Sequence, residues 1–106
     1  MKITVGIPAY NEEKNIASII VKLKQFAETI IVCNDGSTDS TSEIAQNLGA
    51  IVINHPKNFG YGAGIKSIFE KSKEIGSEIL ETFDADGQHR IEDIKKVIEP
   101  IEKNTA

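Results

Sequence analysis

Apolar positions in this chain change period repeatedly, from two to nearly four and back. Ile3, Val5 and Ile7 alternate with other residues up to Pro8, the spacing of a strand. After Asn11-Glu12-Glu13-Lys14 the apolar residues fall at Ile16, Ile19, Ile20, Leu23 and Phe26. That spacing predicts one stripe on a helix, with the acidic residues in its first turn at the positive end of the dipole. Thr29-Ile30-Ile31-Val32-Cys33 is a continuous β-branched run, suited to a strand buried on both faces. Asp35 to Asp39 reads as a turn. Ser40 and Glu43 have the spacing of a capping box for a helix carrying Ile44, Ala45 and Leu48, which Gly49 ends. Ile51-Val52-Ile53 predicts a third strand, and Ile65, Ile68, Phe69 and Ile75 mark a third helix. Glu78 to Phe83 predicts a fourth strand. Ile91, Ile94, Val97, Ile98 and Ile101 predict a last helix, disturbed near its end by Pro100.

Strands alternating with helices imply parallel strands joined by right-handed crossovers, an α/β sandwich. No repeat, linker or low-complexity segment divides the 106 residues, so residues 1–106 are expected to form a single domain. Four parallel strands would leave the fourth, or a neighbour, as an open edge, and association of two copies through that edge is one expectation.

Charge removes some partners from consideration. The net charge is −4, eleven of the twelve basic residues are Lys, and Arg90 is the only Arg. No basic cluster is free of carboxylates, so a nucleic-acid footprint is absent. Cys33 is the only cysteine, which rules out an internal disulfide and fits a reducing, cytoplasmic setting. The apolar runs are a few residues long, against the roughly 20 of a membrane span, and no signal peptide is evident.

In open α/β sheets ligands bind beyond the carboxyl ends of the strands. Here those ends carry Pro8-Ala9-Tyr10-Asn11-Glu12, Asn34-Asp35-Gly36-Ser37 and Asp84-Ala85-Asp86. Asp84 and Asp86, two residues apart, suit a hard divalent cation, and Gln88 offers a further oxygen. An Asp-x-Asp pair is also an ordinary polar turn. Asp35 suits a nucleobase N–H as acceptor, or equally an Asx turn with Gly36. Tyr10 suits stacking on a base or a half-buried strand end, and Glu12 either a ligand contact or a favourable helix start.

Gly60-Tyr61-Gly62-Ala63-Gly64 is not a dinucleotide fingerprint. Ile65 stands where the last glycine belongs, and the first strand–helix turn has none after Gly6. Tight packing at a helix start, with amides facing phosphate, is the simpler role. His55 and His89 are too few for a zinc site. No base is evident beside Ser37 or Cys33 for nucleophilic catalysis, and no catalytic residue is assigned.

Four stretches together resemble the family 2 glycosyltransferases, especially the polyprenyl-phosphate sugar transferases of the dolichol-phosphate mannosyltransferase type. They are Ile7-Pro8-Ala9-Tyr10-Asn11-Glu12-Glu13, Asn34-Asp35-Gly36-Ser37-Thr38-Asp39, His55-Pro56-Lys57-Asn58-Phe59-Gly60 and Asp84-Ala85-Asp86-Gly87-Gln88-His89. The resemblance implies a Rossmann-like three-layer sandwich with a mostly parallel sheet, the glycosyltransferase A-type fold, present as its donor half without the acceptor half. It implies that Pro8, Ala9, Tyr10, Glu12, Asp35 and Asp84 line the nucleotide pocket. Asp84, Asp86 and Gln88 would hold Mg²⁺ or Mn²⁺. The donor would be a GDP- or UDP-linked sugar, transferred with inversion to a polyprenyl phosphate or saccharide, at the cytoplasmic face of the membrane for a lipid acceptor. Asn34 departs from the Asp common in the family at this place, which removes a carboxylate and alters the expected base or ribose contacts.

Two other enzyme and receiver classes fit less well. A sugar-nucleotide pyrophosphorylase uses a glycine- and arginine-rich loop after its first strand, where this chain has Pro8-Ala9-Tyr10-Asn11. A phospho-receiver needs a fifth strand followed by lysine, and the pattern predicts four strands. A non-catalytic nucleotide-binding or self-associating α/β module remains the alternative to the transferase.

Overall fold

The protein is described by a computed structural model over residues 2–85 and 99–100. The elements run β1 (Ile3–Ala9), α1 (Ile16–Leu23), β2 (Thr29–Asp35), α2 (Thr41–Asn47), β3 (Ile51–His55), α3 (Tyr61–Glu74), β4 (Ile79–Thr82) and β5 (Glu99–Pro100). The sheet order is β3-β2-β1-β4-β5. β1 pairs in parallel with both β2 and β4, and β3 extends the parallel set beyond β2. The α/β sandwich expected from the sequence is therefore present.

Period-two alternation sorts the strand residues onto two faces. Val5, Ile7 and Ala9 of β1 and Ile30 and Val32 of β2 meet Ile16, Ile19, Ile20 and Leu23 of α1 and Ala45 of α2. On the opposite face Ile31 and Cys33 meet Ile68 of α3. Each fully buried Val, Leu or Ile contributes roughly 1.5–3 kcal/mol. The crossovers through α1 and α2 lie on one face as the chain steps from β1 to β3, and α3 lies on the other as it returns to β4. Right-handed connections require that change of side when strand order reverses. The reversal falls beside β1, and ligand sites form at such points.

The α3 face of β1 is built from small residues. Thr4 bonds to Ser77 through their hydroxyls, Gly6 lies under Ile68, and Pro8 lies beside Gly64. A Cβ on Gly6 would stand 2.2 Å from Ile68 Cγ2, so only glycine lets α3 approach this closely. That approach sets where the N-terminus of α3 meets the ends of β1 and β2.

Several local expectations need correction. β2 continues to Asp35 and β3 to His55, so Asp35 is the last residue of a strand and not part of a turn. α1 begins at Ile16 without an acidic residue in its first turn. The Glu12 carbonyl accepts from the amides of Asn15 and Ile16, closing a separate turn before the helix. Ser40 makes no side-chain cap; Asp39 accepts the Thr41 amide at 3.0 Å instead. The expected four strands are joined by a fifth, since Glu99 and Pro100 pair antiparallel with Leu80 and Ile79. Pro100 thus lies in a short strand, where the sequence predicts a disturbed helix end. Asp86, Gln88 and the apolar positions from Ile91 to Ile98, with Ile101, lie outside the described residues. Among the described residues no helix is long and apolar enough to cross a membrane.

Gly6→Ala should destabilise the fold by about 1–3 kcal/mol through overpacking. Urea unfolding checks this, and adding Ile68→Ala should recover part of the loss caused by Gly6→Ala in that background. Equal costs of Gly6→Ala with and without Ile68 would show that this contact is not the constraint.

Candidate nucleotide-binding site

A cavity of about 350 Å³ opens at the carboxyl ends of the strands. β1 and the loop after it contribute Pro8, Ala9, Tyr10 and Glu12, β2 contributes Asp35, and the segment after β4 contributes Asp84 and Ala85. Asn58, Gly60, Tyr61 and Gly64 close it from the start of α3. Every residue expected in the nucleotide pocket thus lies on one cavity. Tyr10 and Tyr61 are exposed at its edge, at 47% and 60%.

Asp35 is a buried carboxylate, 6% exposed. Its Oδ1 accepts from His55 Nδ1 at 2.8 Å and from the Phe59 amide at 2.9 Å, and its Oδ2 accepts from the Gly60 amide at 3.0 Å. Burial alone would raise its pKa. The His55 bond and the two amides outweigh burial and hold the carboxyl below its ordinary 3.8. The anion also lies at the positive end of α3, which favours it further.

Gly36 makes this arrangement possible. Its φ is +79°, and a Cβ there would stand 2.5 Å from the backbone of Lys57 and Asn58. The segment that delivers the Phe59 and Gly60 amides passes directly over it. Asn34 is also occupied internally: its Nδ2 donates to Asn54 at 2.9 Å and its Oδ1 accepts from the Ser37 amide at 3.1 Å. Asn34 shapes the loop and is not part of the cavity lining, so the departure from Asp expected to alter base contacts here braces the β2–β3 ends.

The loops after β1 and β2 are clasped to each other. The Asn11 amide donates to Ser37 Oγ at 2.9 Å, the Glu12 amide to Thr41 Oγ1 at 2.9 Å and the Glu13 amide to Asp39 Oδ2 at 3.2 Å. In return Asn11 Oδ1 accepts from the Thr38 amide at 2.8 Å, and Glu13 Oε2 from the Ser40 amide at 2.9 Å. Asn11 has φ of 51°, a left-handed conformation that Asn tolerates better than most residues. These bonds fix Tyr10 and Glu12 relative to Asp35.

The sequence missed one constellation. His55 Nε2 lies 2.9 Å from Ser67 Oγ and 3.6 Å from Cys33 Sγ, so both a hydroxyl and a thiol have an imidazole partner that linear spacing concealed. Neither makes a nucleophile here. Burial, and then the charge of Asp35, push the Cys33 thiol up to about 11. Ser67 is not part of the cavity lining. The signal available in the sequence was His55 opening the third of the motif stretches.

Among the described residues no three His, Cys, Asp or Glu side chains cluster as a metal site. Asp84 brings a carboxylate to the cavity, while Asp86 and Gln88 lie outside the described residues. One carboxylate at the cavity still suits Mg²⁺, which takes one or two protein carboxylates and fills its shell with phosphate oxygens and water.

The profile described as glycosyl transferase family 2 matches residues 4–106. The chain belongs to this family. The UDP-N-acetylglucosamine–dolichyl-phosphate N-acetylglucosaminyltransferase of Methanococcus voltae is 39% identical over 113 residues, covering 90% of this chain and 45% of that protein. The dolichol-phosphate mannosyltransferase of Pyrococcus furiosus is 33% identical over 113 residues, covering 99% and 31%. Glucosyl-3-phosphoglycerate synthase of Mycobacterium tuberculosis, crystallised with Mg²⁺ and UDP, superposes with a TM-score of 0.68 at 28% identity, over 80% of this chain and 33% of that one. The same synthase is also known with Mn²⁺ and UDP. This family 2 chain spans less than half the length of these relatives. Its fold is that of the glycosyltransferase A-type neighbours, as the resemblance implied.

The lowered pKa of Asp35 has a pH signature. Its stabilisation is present above the unfolded value of 3.8 and is lost as the pH falls from there through the lower folded value. Asp35→Asn should cost roughly 1.5–3 kcal/mol near neutral pH, because an amide cannot accept from all three donors. Urea unfolding at a series of pH values should show the gap to wild type narrowing below about pH 4. A gap independent of pH would contradict an ionised Asp35.

Proposed function

We propose that residues 1–106 form the donor-binding part of a metal-dependent, inverting glycosyltransferase that takes a nucleoside-diphosphate sugar. The observation that carries this reading is the convergence of Asp35, at the end of β2, and Asp84, just beyond β4, on one cavity walled by Pro8, Ala9 and Tyr10. Asp35 would accept a base N–H, Tyr10 would stack on the base, and Glu12 would hydrogen-bond the ligand at the mouth. The start of α3 would face the diphosphate with its positive end. Asp84, with Asp86 and Gln88, would hold Mg²⁺ or Mn²⁺, which when bound neutralises charge growing on the leaving diphosphate.

The named relatives support a polyprenyl-phosphate acceptor, with a saccharide as the other candidate. A phosphate acceptor is already ionised near neutral pH and needs no strong base, consistent with assigning no catalytic residue to this chain. Transfer is assigned to a longer assembly that includes an acceptor half. The single, unpaired Cys33 supports a cytoplasmic setting, at the membrane face for a lipid acceptor.

Calorimetric titration of UDP and GDP, with and without Mn²⁺, should give binding that requires the metal, and Asp84→Ala should weaken it by at least about tenfold, the scale of one charged contact. Absence of binding by either nucleotide, or an unaltered Asp84→Ala variant, would remove the donor-site reading.

Self-association is a second reading. β3 has β2 as its single strand partner among the described residues, so its other edge is unpaired there. Light scattering after size exclusion should show a dimer growing with concentration; a monomer across the range would reject association through this edge.

A further inference from the structure

The carboxylate of Asp35 is almost fully used before any ligand arrives. An ionised carboxylate offers about four acceptor positions on its two oxygens. His55 Nδ1 and the Phe59 amide occupy Oδ1, and the Gly60 amide occupies one position on Oδ2. One position remains, on Oδ2, and Asp35 borders the cavity. Because Asp35 has only acceptors, the proton between it and His55 resides on Nδ1. Ser67, 2.9 Å from Nε2, holds the far side of the ring, and the Phe59 ring lies against it at 5.2 Å between centroids. His55 is thus fixed from several directions and in turn fixes the carboxylate plane.

We propose that His55, braced by Ser67, is a positioning residue that leaves Asp35 a single free acceptor and thereby selects uridine over guanosine nucleotides. The inference rests on the donor-site reading and adds the base to it. Uracil presents one ring N–H between two carbonyls, a donor that one free acceptor satisfies completely. Guanine presents a ring N–H and an adjacent amine, which together call for both oxygens of a carboxylate. Oδ1 is closed by His55 and Phe59, so one guanine donor would be buried without a partner. Such an unpaired donor costs enough to lower affinity by about tenfold or more. Ser67 and His55 are not part of the cavity lining, so they act on the base through Asp35.

The test compares dissociation constants of UDP and GDP with Mn²⁺ for the full chain and its variants. Wild type should prefer UDP by at least about tenfold, a comparison that needs no variant to fold. His55→Ala frees one position on Oδ1 and should bring the two nucleotides within about threefold of each other, mainly by raising GDP affinity. His55→Asn, whose amide can replace the Nδ1–H, should restore most of the preference, a rescue that general loss of stability would not produce. Equal affinities in wild type would overturn the proposal while leaving the donor site standing, as would His55→Ala weakening both nucleotides by the same factor. Failure of both nucleotides to bind would overturn the donor-site reading and this proposal with it.

Discussion

A buried charge governs this architecture. Asp35 closes β2 at a place with almost no access to water, and an ion there is tolerable only if the protein supplies its hydrogen bonds. Those donors come from His55 at the end of β3 and from the backbone entering α3. Satisfying one carboxylate therefore ties β2, β3 and α3 together at the rim where strand order reverses. The turn over Gly36 and the internal bonds of Asn34 follow from the same requirement, because the donating segment must pass close above the end of β2. Among the described residues no buried side-chain nitrogen or oxygen lacks a partner. A polar network at this depth is stabilising only when complete.

Around that anchor the site is assembled by close approach. Small residues on one face of β1 let α3 settle low over the sheet, which brings Gly60 and Gly64 to the cavity wall. The reciprocal bonds between the loops after β1 and β2 hold Tyr10 and Glu12 in register with Asp35. Loops braced in this way are ordered before a ligand arrives, so less of the binding free energy goes into ordering them. The left-handed Asn11 belongs to the same economy of structure: a modest backbone strain is offset by the bonds its side chain and amide make.

Family membership and geometry bear on different halves of the problem. The match across residues 4–106 establishes the kind of protein, and the relatives' names supply chemistries for proteins more than twice as long. The cavity is where the donor-site proposal rests. Among the described residues its lining presents the buried carboxylate of Asp35, an aromatic edge at Tyr10 and Tyr61, the start of α3 and a second carboxylate at Asp84. Holding a donor nucleotide is the task proposed for it.

Hydrophobic period alone determined the parallel α/β sandwich, because residues such as Ile30, Ile31 and Val32 can be buried on both faces only inside a sheet covered on both sides. The rule that ligands gather at carboxyl ends pointed to the strand ends, and the family resemblance then picked out Pro8, Ala9, Tyr10, Glu12, Asp35 and Asp84, which share one cavity. Local pattern served less well at element ends. Ser40 with Glu43 read as a cap, yet the cap went to Asp39, since helix ends here are set by what the neighbouring loop needs. Asp35 read as the start of a turn, yet it ends β2, held there by three donors remote in sequence. The role of His55 was decided by tertiary structure alone. Nothing in the chain's order brings Cys33, Asp35, His55 and Ser67 together, because parallel pairing and the packing of α3 create that neighbourhood only once the sheet has closed.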